Sequence, residues 1–149
     1  MPEEKINYKN HLQLDTKNKL FCNCSTEMKE REPIKIIKRK MHPVASELGE
    51  IDVAAQYEYL RNRTFHYQVF ANETCLIDLD ESPPLLLNQD ALELAIQIAL
   101  LLKCSIVEEV HVMRKTVIDG STPMGFQRTM VIGKDGFVKY KGKKIPITH

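Results

Sequence analysis

Four cysteines stand at positions 22, 24, 75 and 104. Cys22 and Cys24 are separated by a single residue, and two thiolates that close can grip one Zn²⁺ if a turn points both inward. Cys75 follows much later in the chain. Three cysteines leave a tetrahedral site one ligand short. In the run Cys75-Leu76-Ile77-Asp78, Asp78 falls where the second cysteine of a Cys-x-x-Cys would stand. A carboxylate is an acceptable, less common zinc ligand. The alternative is three free thiols in a reducing compartment. Cys104 ends an apolar helical run and reads as a small buried residue. His11 is a lone histidine among polar neighbours, structural or exposed as such residues mostly are. His42, His66, His111 and the terminal His149 have no metal-type spacing to one another.

A second constellation surrounds Asp119-Gly120-Ser121-Thr122-Pro123. Met113-Arg114-Lys115 precedes this loop and Gly125-Phe126-Gln127-Arg128 follows it. Small residues with flanking cations can offer backbone N–H groups and guanidinium donors to a phosphate. No Gly-x-x-x-x-Gly-Lys-Ser/Thr run occurs, so this is not a Walker loop. The competing reading is a surface turn with basic neighbours. Lys35, Lys38, Arg39 and Lys40 form a third group. They read first as a solvated strand face and second as contacts to a nucleic-acid backbone.

The elements that must position these groups follow from periodicity. Residues 8–14 carry a weak strand pattern ending in Leu12-Gln13-Leu14, and residues 15–18 a turn. Residues 33–41 are basic with β-branched content. Residues 50–62 place Ile51, Val53, Ala54, Tyr57 and Leu60 at helical spacing. Residues 64–71 alternate as a strand does. Residues 88–103 are the clearest helix. Pro83-Pro84 stands before it, Asn88 suits its N-cap, Asp90 and Glu93 its positive end and Lys103 its negative end. Its apolar residues cover most of its circumference, which predicts burial. Residues 106–118, 126–132 and 137–140 read as strands. Lys134-Asp135-Gly136 between the last two is a hairpin cue. Residues 143–147 form a last strand. Strands in succession after helices predict an α+β fold with a mixed, mainly antiparallel sheet and packed helices.

Composition is ordinary for a globular chain: 149 residues, 43% hydrophobic, 28% charged, net charge +1. Near-neutrality removes global charge as an argument for nucleic-acid binding and leaves local patches. One domain is expected at this length. The N-terminus is charged and has no apolar core of a signal peptide, and no run reaches the ~20 residues of a membrane span. These features predict a cytoplasmic protein without membrane contact.

Several stretches, in order, resemble the archaeal glutamyl-tRNA(Gln) amidotransferase E-subunit family and, more distantly, the related B subunits. They include Leu20-Phe21-Cys22-Asn23-Cys24-Ser25-Thr26-Glu27, Pro43-Val44-Ala45-Ser46-Glu47-Leu48-Gly49-Glu50 and Thr74-Cys75-Leu76-Ile77-Asp78-Leu79-Asp80-Glu81. Val112-Met113-Arg114-Lys115-Thr116-Val117-Ile118-Asp119-Gly120-Ser121 and Gly125-Phe126-Gln127-Arg128-Thr129 follow. The resemblance implies the N-terminal part of a catalytic cradle domain across residues 1–149, with a glutamine synthetase/guanidino-kinase-like fold. It implies ATP- and Mg²⁺-dependent phosphorylation of the glutamyl carboxylate on tRNA(Gln). Ammonia from an asparaginase-like D subunit then displaces the phosphate.

The resemblance also assigns residues. Cys22, Cys24 and Cys75 match three of four cysteines that hold a structural zinc in many B subunits, with Asp78 at the fourth. Arg114, Lys115, Asp119, Ser121, Gln127 and Arg128 become candidates for the nucleotide or tRNA 3′-end pocket. His11 matches a histidine of the family's Mg²⁺ site, but Lys9 stands where that strand carries a glutamate. Family members extend to several times this length. The expectation is therefore an incomplete subunit, inactive alone, or a fragment that binds the partner subunit or tRNA.

Overall fold

A computed structural model of the chain describes residues 9–27 and 32–149. The order is β1 (Lys35–Lys40), α1 (Val53–Leu60), β2 (Thr64–Val69), α2 (Gln89–Leu101), β3 (Ser105–Ile106), β4 (Met113–Thr116), β5 (Phe126–Thr129), β6 (Gly133–Lys134), β7 (Gly136–Tyr140) and β8 (Lys143–Ile147). Helices and antiparallel strands give an α+β fold, as the element order predicts. The expected continuous sheet is replaced, among the described residues, by four two-stranded ribbons: β1–β2, β3–β6, β4–β5 and β7–β8, all antiparallel.

Local chemistry explains the helices. Asp52 caps α1, its Oδ1 accepting from the Ala55 N–H at 3.0 Å. Its apolar residues do not form the buried face: Val53, Tyr57 and Leu60 are exposed, while Ala55 and Glu58 are buried. Glu58 sits inside because Arg61 and Arg63 both pair with it. Asn88 caps α2 as expected, its Oδ1 accepting from the Ala91 N–H at 3.3 Å. The helix is less enclosed than its composition predicts. Ala91 and Ala99 are its buried residues, and Leu100 and Leu101 face outward. Its far end is held tightly: the Phe137 N–H donates to the Leu102 carbonyl at 2.8 Å. A side chain on Gly136 would run into the Cys104 sulfur, so Cys104 packs here, half-buried, against β7.

Three strand expectations change. Residues 9–14, the described part of the first predicted strand, are not a strand; Tyr8 lies outside the described residues. The run 106–118 is broken into β3 and β4: the Val107 N–H still donates to the Ile132 carbonyl at 3.1 Å in the register of β3 with β6, and the chain then bends at Glu108-Glu109. Asp135-Gly136 does not join β5 to β7. β5 folds back on β4, and β7 pairs with β8 through a turn at Lys141-Gly142. Both turn residues have positive φ, 47° and 78°, as a two-residue hairpin of matching twist requires.

The buried apolar set among the described residues is small: Cys22, Cys24, Met41, Ala55, Leu79, Ala91 and Ala99. The chain exposes 12001 Å². A compact monomer of 17.2 kDa exposes about 7,800 Å² by the usual area–mass scaling. Large apolar side chains lie exposed on this chain, including Leu48, Val53, Leu86 and Leu101. No helix among the described residues is long and apolar enough to cross a membrane.

Candidate functional site

Two of the seven buried apolar residues, Cys22 and Cys24, face Cys75 and Asp78. One ligand atom from each of the four lies within 4.8 Å of all the others. Two loops make this meeting. The 19–24 loop closes on itself, the Lys19 N–H donating to the Cys24 carbonyl at 3.0 Å, with Asn18 and Ser25 bridged beyond it. The helix cap ties that loop down. Asn88 donates its N–H to the Leu20 carbonyl at 2.9 Å and its Nδ2 to the Asn18 carbonyl at 3.0 Å. The second loop carries Cys75 and Asp78, and the Asp78 Oδ2 accepts from the Cys75 N–H at 3.0 Å. The Ser25 N–H joins the loops by donating to the Asn72 carbonyl at 3.0 Å.

The donor set fits zinc. A tetrahedral ion with sulfur ligands at ~2.3 Å needs neighbouring ligands about 3.8 Å apart, and the cluster needs only a small contraction to reach that. Without a metal the thiols of Cys22 and Cys24 are held protonated. Burial, followed by hydrogen bonds with Cys75 and Cys22, pushes the Cys24 thiol up to about 12. Burial also raises Cys22, with the Asp78 carboxylate adding to the effect. Three thiols and a carboxylate this close cannot all carry charge unless a cation joins them. Cys104 takes no part.

The second constellation sits on the β4–β5 ribbon. Its register faces Arg114 with Arg128, Lys115 with Gln127 and Thr116 with Phe126. Alternation then puts Arg114, Arg128 and Phe126 on one side and Lys115 with Gln127 on the other. The two guanidinium carbons stand 5.5 and 5.4 Å from the Phe126 ring centre. Arg114 also pairs with Glu47. The arginines line a 730 Å³ cleft together with Pro43, Val44, Glu47 and Phe126.

The connecting loop is pinned beneath. The Tyr67 hydroxyl donates to the Gly120 carbonyl at 2.6 Å. Gly120, at φ +87°, lies so close to Phe65 that a Cβ there would enter the ring. Asp119 accepts from the Ser121 N–H at 2.8 Å. Hydrogen bonds from Ser121, the side chain foremost, hold the Asp119 carboxyl below its usual range. Asp119 and Ser121 therefore shape the loop together.

Asp80 is a residue that spacing does not single out. Its side chain is 7% exposed. Its Oδ2 accepts from the Met124 N–H at 3.3 Å, and Arg128 stands 4.0 Å from Oδ1. Burial raises its carboxyl above the usual range. Asp80 and Arg128 line a 680 Å³ cleft with Lys19, Cys22 and Asp78, so Arg128 borders both clefts. A buried carboxylate at positive φ, 55°, is a tertiary feature with no local sequence signal.

Other predicted residues stay apart. Lys9 and His11 are exposed, and His11 joins no group of three or more possible ligands among the described residues. Among the described residues no carboxylates gather around His11 to complete a Mg²⁺ site, which draws mainly on oxygen ligands. On β1, Lys35, Lys38 and Lys40 are exposed as expected, but Arg39 pairs with Glu81.

Residues 5–149 match the family model of the GatB/GatE catalytic domain. The chain belongs to this family. Among curated relatives, the E subunit of glutamyl-tRNA(Gln) amidotransferase from Methanothermobacter thermautotrophicus is 51% identical over 129 residues, 87% of this chain and 21% of that protein. The E subunit from Methanococcus vannielii is 43% identical over 144 residues, covering 97% and 23%. That from Aeropyrum pernix is 44% identical over 143 residues, covering 96% and 22%. This GatB/GatE-domain chain thus spans about a fifth of the length of these relatives.

Proposed function

We propose that the chain serves in ATP-dependent conversion of Glu-tRNA(Gln) to Gln-tRNA(Gln), as part of the cradle domain of an E-type subunit in the cytoplasm. The family match over residues 5–149 carries this reading. A carboxylate is a poor acyl donor until it becomes an acyl phosphate. ATP would supply the phosphoryl group and Mg²⁺ would accompany its phosphates. Ammonia would come from an asparaginase-like D subunit as heterodimer partner.

Within this reading, Arg114 and Arg128 are the residues to hold phosphate. Both guanidiniums lie within 5.5 Å of the Phe126 ring centre at the mouth of one cleft, and a guanidinium carries several N–H donors that an anion can engage. Glu47, exposed at the cleft edge and paired with Arg114, is the group an incoming phosphate would displace. Lys115 and Gln127 occupy the opposite side of the ribbon and suit the tRNA end. Asp119 and Ser121 hold the loop between the strands. The zinc of Cys22, Cys24, Cys75 and Asp78 is structural: it locks two loops that also wall the second cleft, and takes no part in phosphoryl transfer.

The test uses the chain with an archaeal D subunit, Glu-tRNA(Gln), ATP and glutamine. Phosphate release dependent on Glu-tRNA(Gln), lost in Arg128→Met, supports catalysis by this chain; the Lys9 position leads us to expect none from the chain alone. A second reading, binding of the partner subunit or tRNA without catalysis, draws on the 12001 Å² of exposed surface. Capture of the D subunit at micromolar concentration without turnover supports it.

A further inference from the structure

Lys19 reaches into the metal cluster from the loop that supplies two of its thiols. Its ammonium donates to the Asp78 Oδ1 at 3.1 Å and to the Glu73 backbone carbonyl at 2.6 Å. The second bond matters. It fixes the ammonium against the loop that carries Cys75 and Asp78, so the pair is more than a swinging surface contact. The Lys19 N–H meanwhile donates to the Cys24 carbonyl at 3.0 Å. One residue is therefore bonded to both arms of the cluster.

Asp78 is anchored at both oxygens, by Lys19 on Oδ1 and the Cys75 N–H on Oδ2. A carboxylate oxygen has a second lone pair, so neither bond prevents coordination. Charge gives the ammonium a further task. Three thiolates and a carboxylate around a divalent ion leave a net charge of about −2, and two of the thiols, Cys22 and Cys24, are buried. An ammonium at hydrogen-bond distance offsets part of that charge. Groups that hold a metal-ligating side chain from behind commonly set its orientation and the site's affinity.

We propose that Lys19 is a positioning residue of the metal centre, orienting the Asp78 carboxylate toward the ion and compensating the charge of the four ligands. This rests on the reading of Cys22, Cys24, Cys75 and Asp78 as a zinc site. It assigns the difference between a weak three-thiolate site and a closed four-ligand one to a residue outside the ligand set.

The experiment titrates Co²⁺ into the purified metal-free chain, followed by displacement with Zn²⁺. It compares the native chain with Lys19→Met, Lys19→Arg, Asp78→Asn and the double variant Lys19→Met/Asp78→Asn. Lys19→Met should weaken zinc binding about 10–100-fold, the usual effect of losing an outer-shell partner. Its Co²⁺ absorption envelope should move toward that of Asp78→Asn, and Lys19→Arg should recover most of the affinity. In the Asp78→Asn background, Lys19→Met should change affinity by less than about threefold, because the two residues act as one unit. A purely structural lysine would lower the melting temperature of the metal-free chain and leave the Co²⁺ envelope in place. Unchanged affinity and spectrum in Lys19→Met, or an equal loss with and without the Asp78 carboxylate, overturns the proposal alone. A native chain that binds neither metal overturns the zinc reading and this proposal with it.

Discussion

Zinc in the Cys22/Cys24/Cys75/Asp78 cluster would act as a cross-link between distant parts of the chain, and its removal has a calculable cost. From Cys24 to Cys75 the separation is 51 residues. Closing a loop of that size removes about 4 kcal/mol of chain entropy from the unfolded state. At this chain length each 1 kcal/mol moves the melting temperature by roughly 2–4 °C. Stripping the metal should therefore lower it by about 8–16 °C, less whatever affinity the unfolded thiols retain for zinc. The assay is far-UV circular dichroism melting with equimolar Zn²⁺ and again with excess chelator, under reducing conditions. Cys75→Ala should abolish the zinc-dependent difference. Cys104→Ala should preserve it, whatever it does to absolute stability, because Cys104 packs against Gly136 and takes no part in the cluster. A zinc-dependent shift below about 2 °C, or one that survives Cys75→Ala, would refute the cross-link argument.

Two further outcomes follow from named contacts. In the metal-free chain the Cys24 thiol is raised from 9.0 to about 12, so the folded state keeps a proton that the unfolded state releases. Its contribution is full below pH 9.0 and declines as pH rises toward 12. Urea midpoints measured from pH 7 to pH 10, relative to a Cys24→Ser variant, should fall on the alkaline side without metal and hold with zinc; a flat metal-free profile would contradict this. Gly120→Ala combines a positive φ of +87° with overlap on the Phe65 ring and should cost about 3 kcal/mol or more, whereas Gly142→Ala, at +78° in open space, should cost about 1. Equal melting temperatures for the two variants would remove the steric argument at Gly120.

How legible the fold was depended on whether a residue's role is set by its neighbours in sequence. Pro83-Pro84 and Asn88 announce the start of α2 because capping is a local exchange between one side chain and the next turn. β2 was readable for a similar reason, since alternation is a property of the strand itself. The Asp135-Gly136 cue misled because a turn dipeptide states that the chain can reverse, not which strand it then pairs with. Asp135 does adopt positive φ, 55°, yet it opens β7 onto β8. The burial of Glu58 in place of Tyr57 was hidden too. It depends on Arg63 reaching back from beyond the helix, a contact that helical periodicity does not register.

The candidate site divides along the same line. The types and short spacings, Cys22-Asn23-Cys24, Cys75 to Asp78 and the basic runs about Gly120, were set by sequence, and with them the ligand chemistry and the family. Only the tertiary structure brings the two halves of the cluster within 4.8 Å, through backbone bonds from Asn88 and Ser25 that no motif encodes. It also separates Arg114 and Arg128 from Lys115 and Gln127, because strand register decides which side each residue faces. Asp80 and Lys19 emerge only there. Their roles arise from burial and from partners more than forty positions away, and neither quantity is a property of adjacent residues.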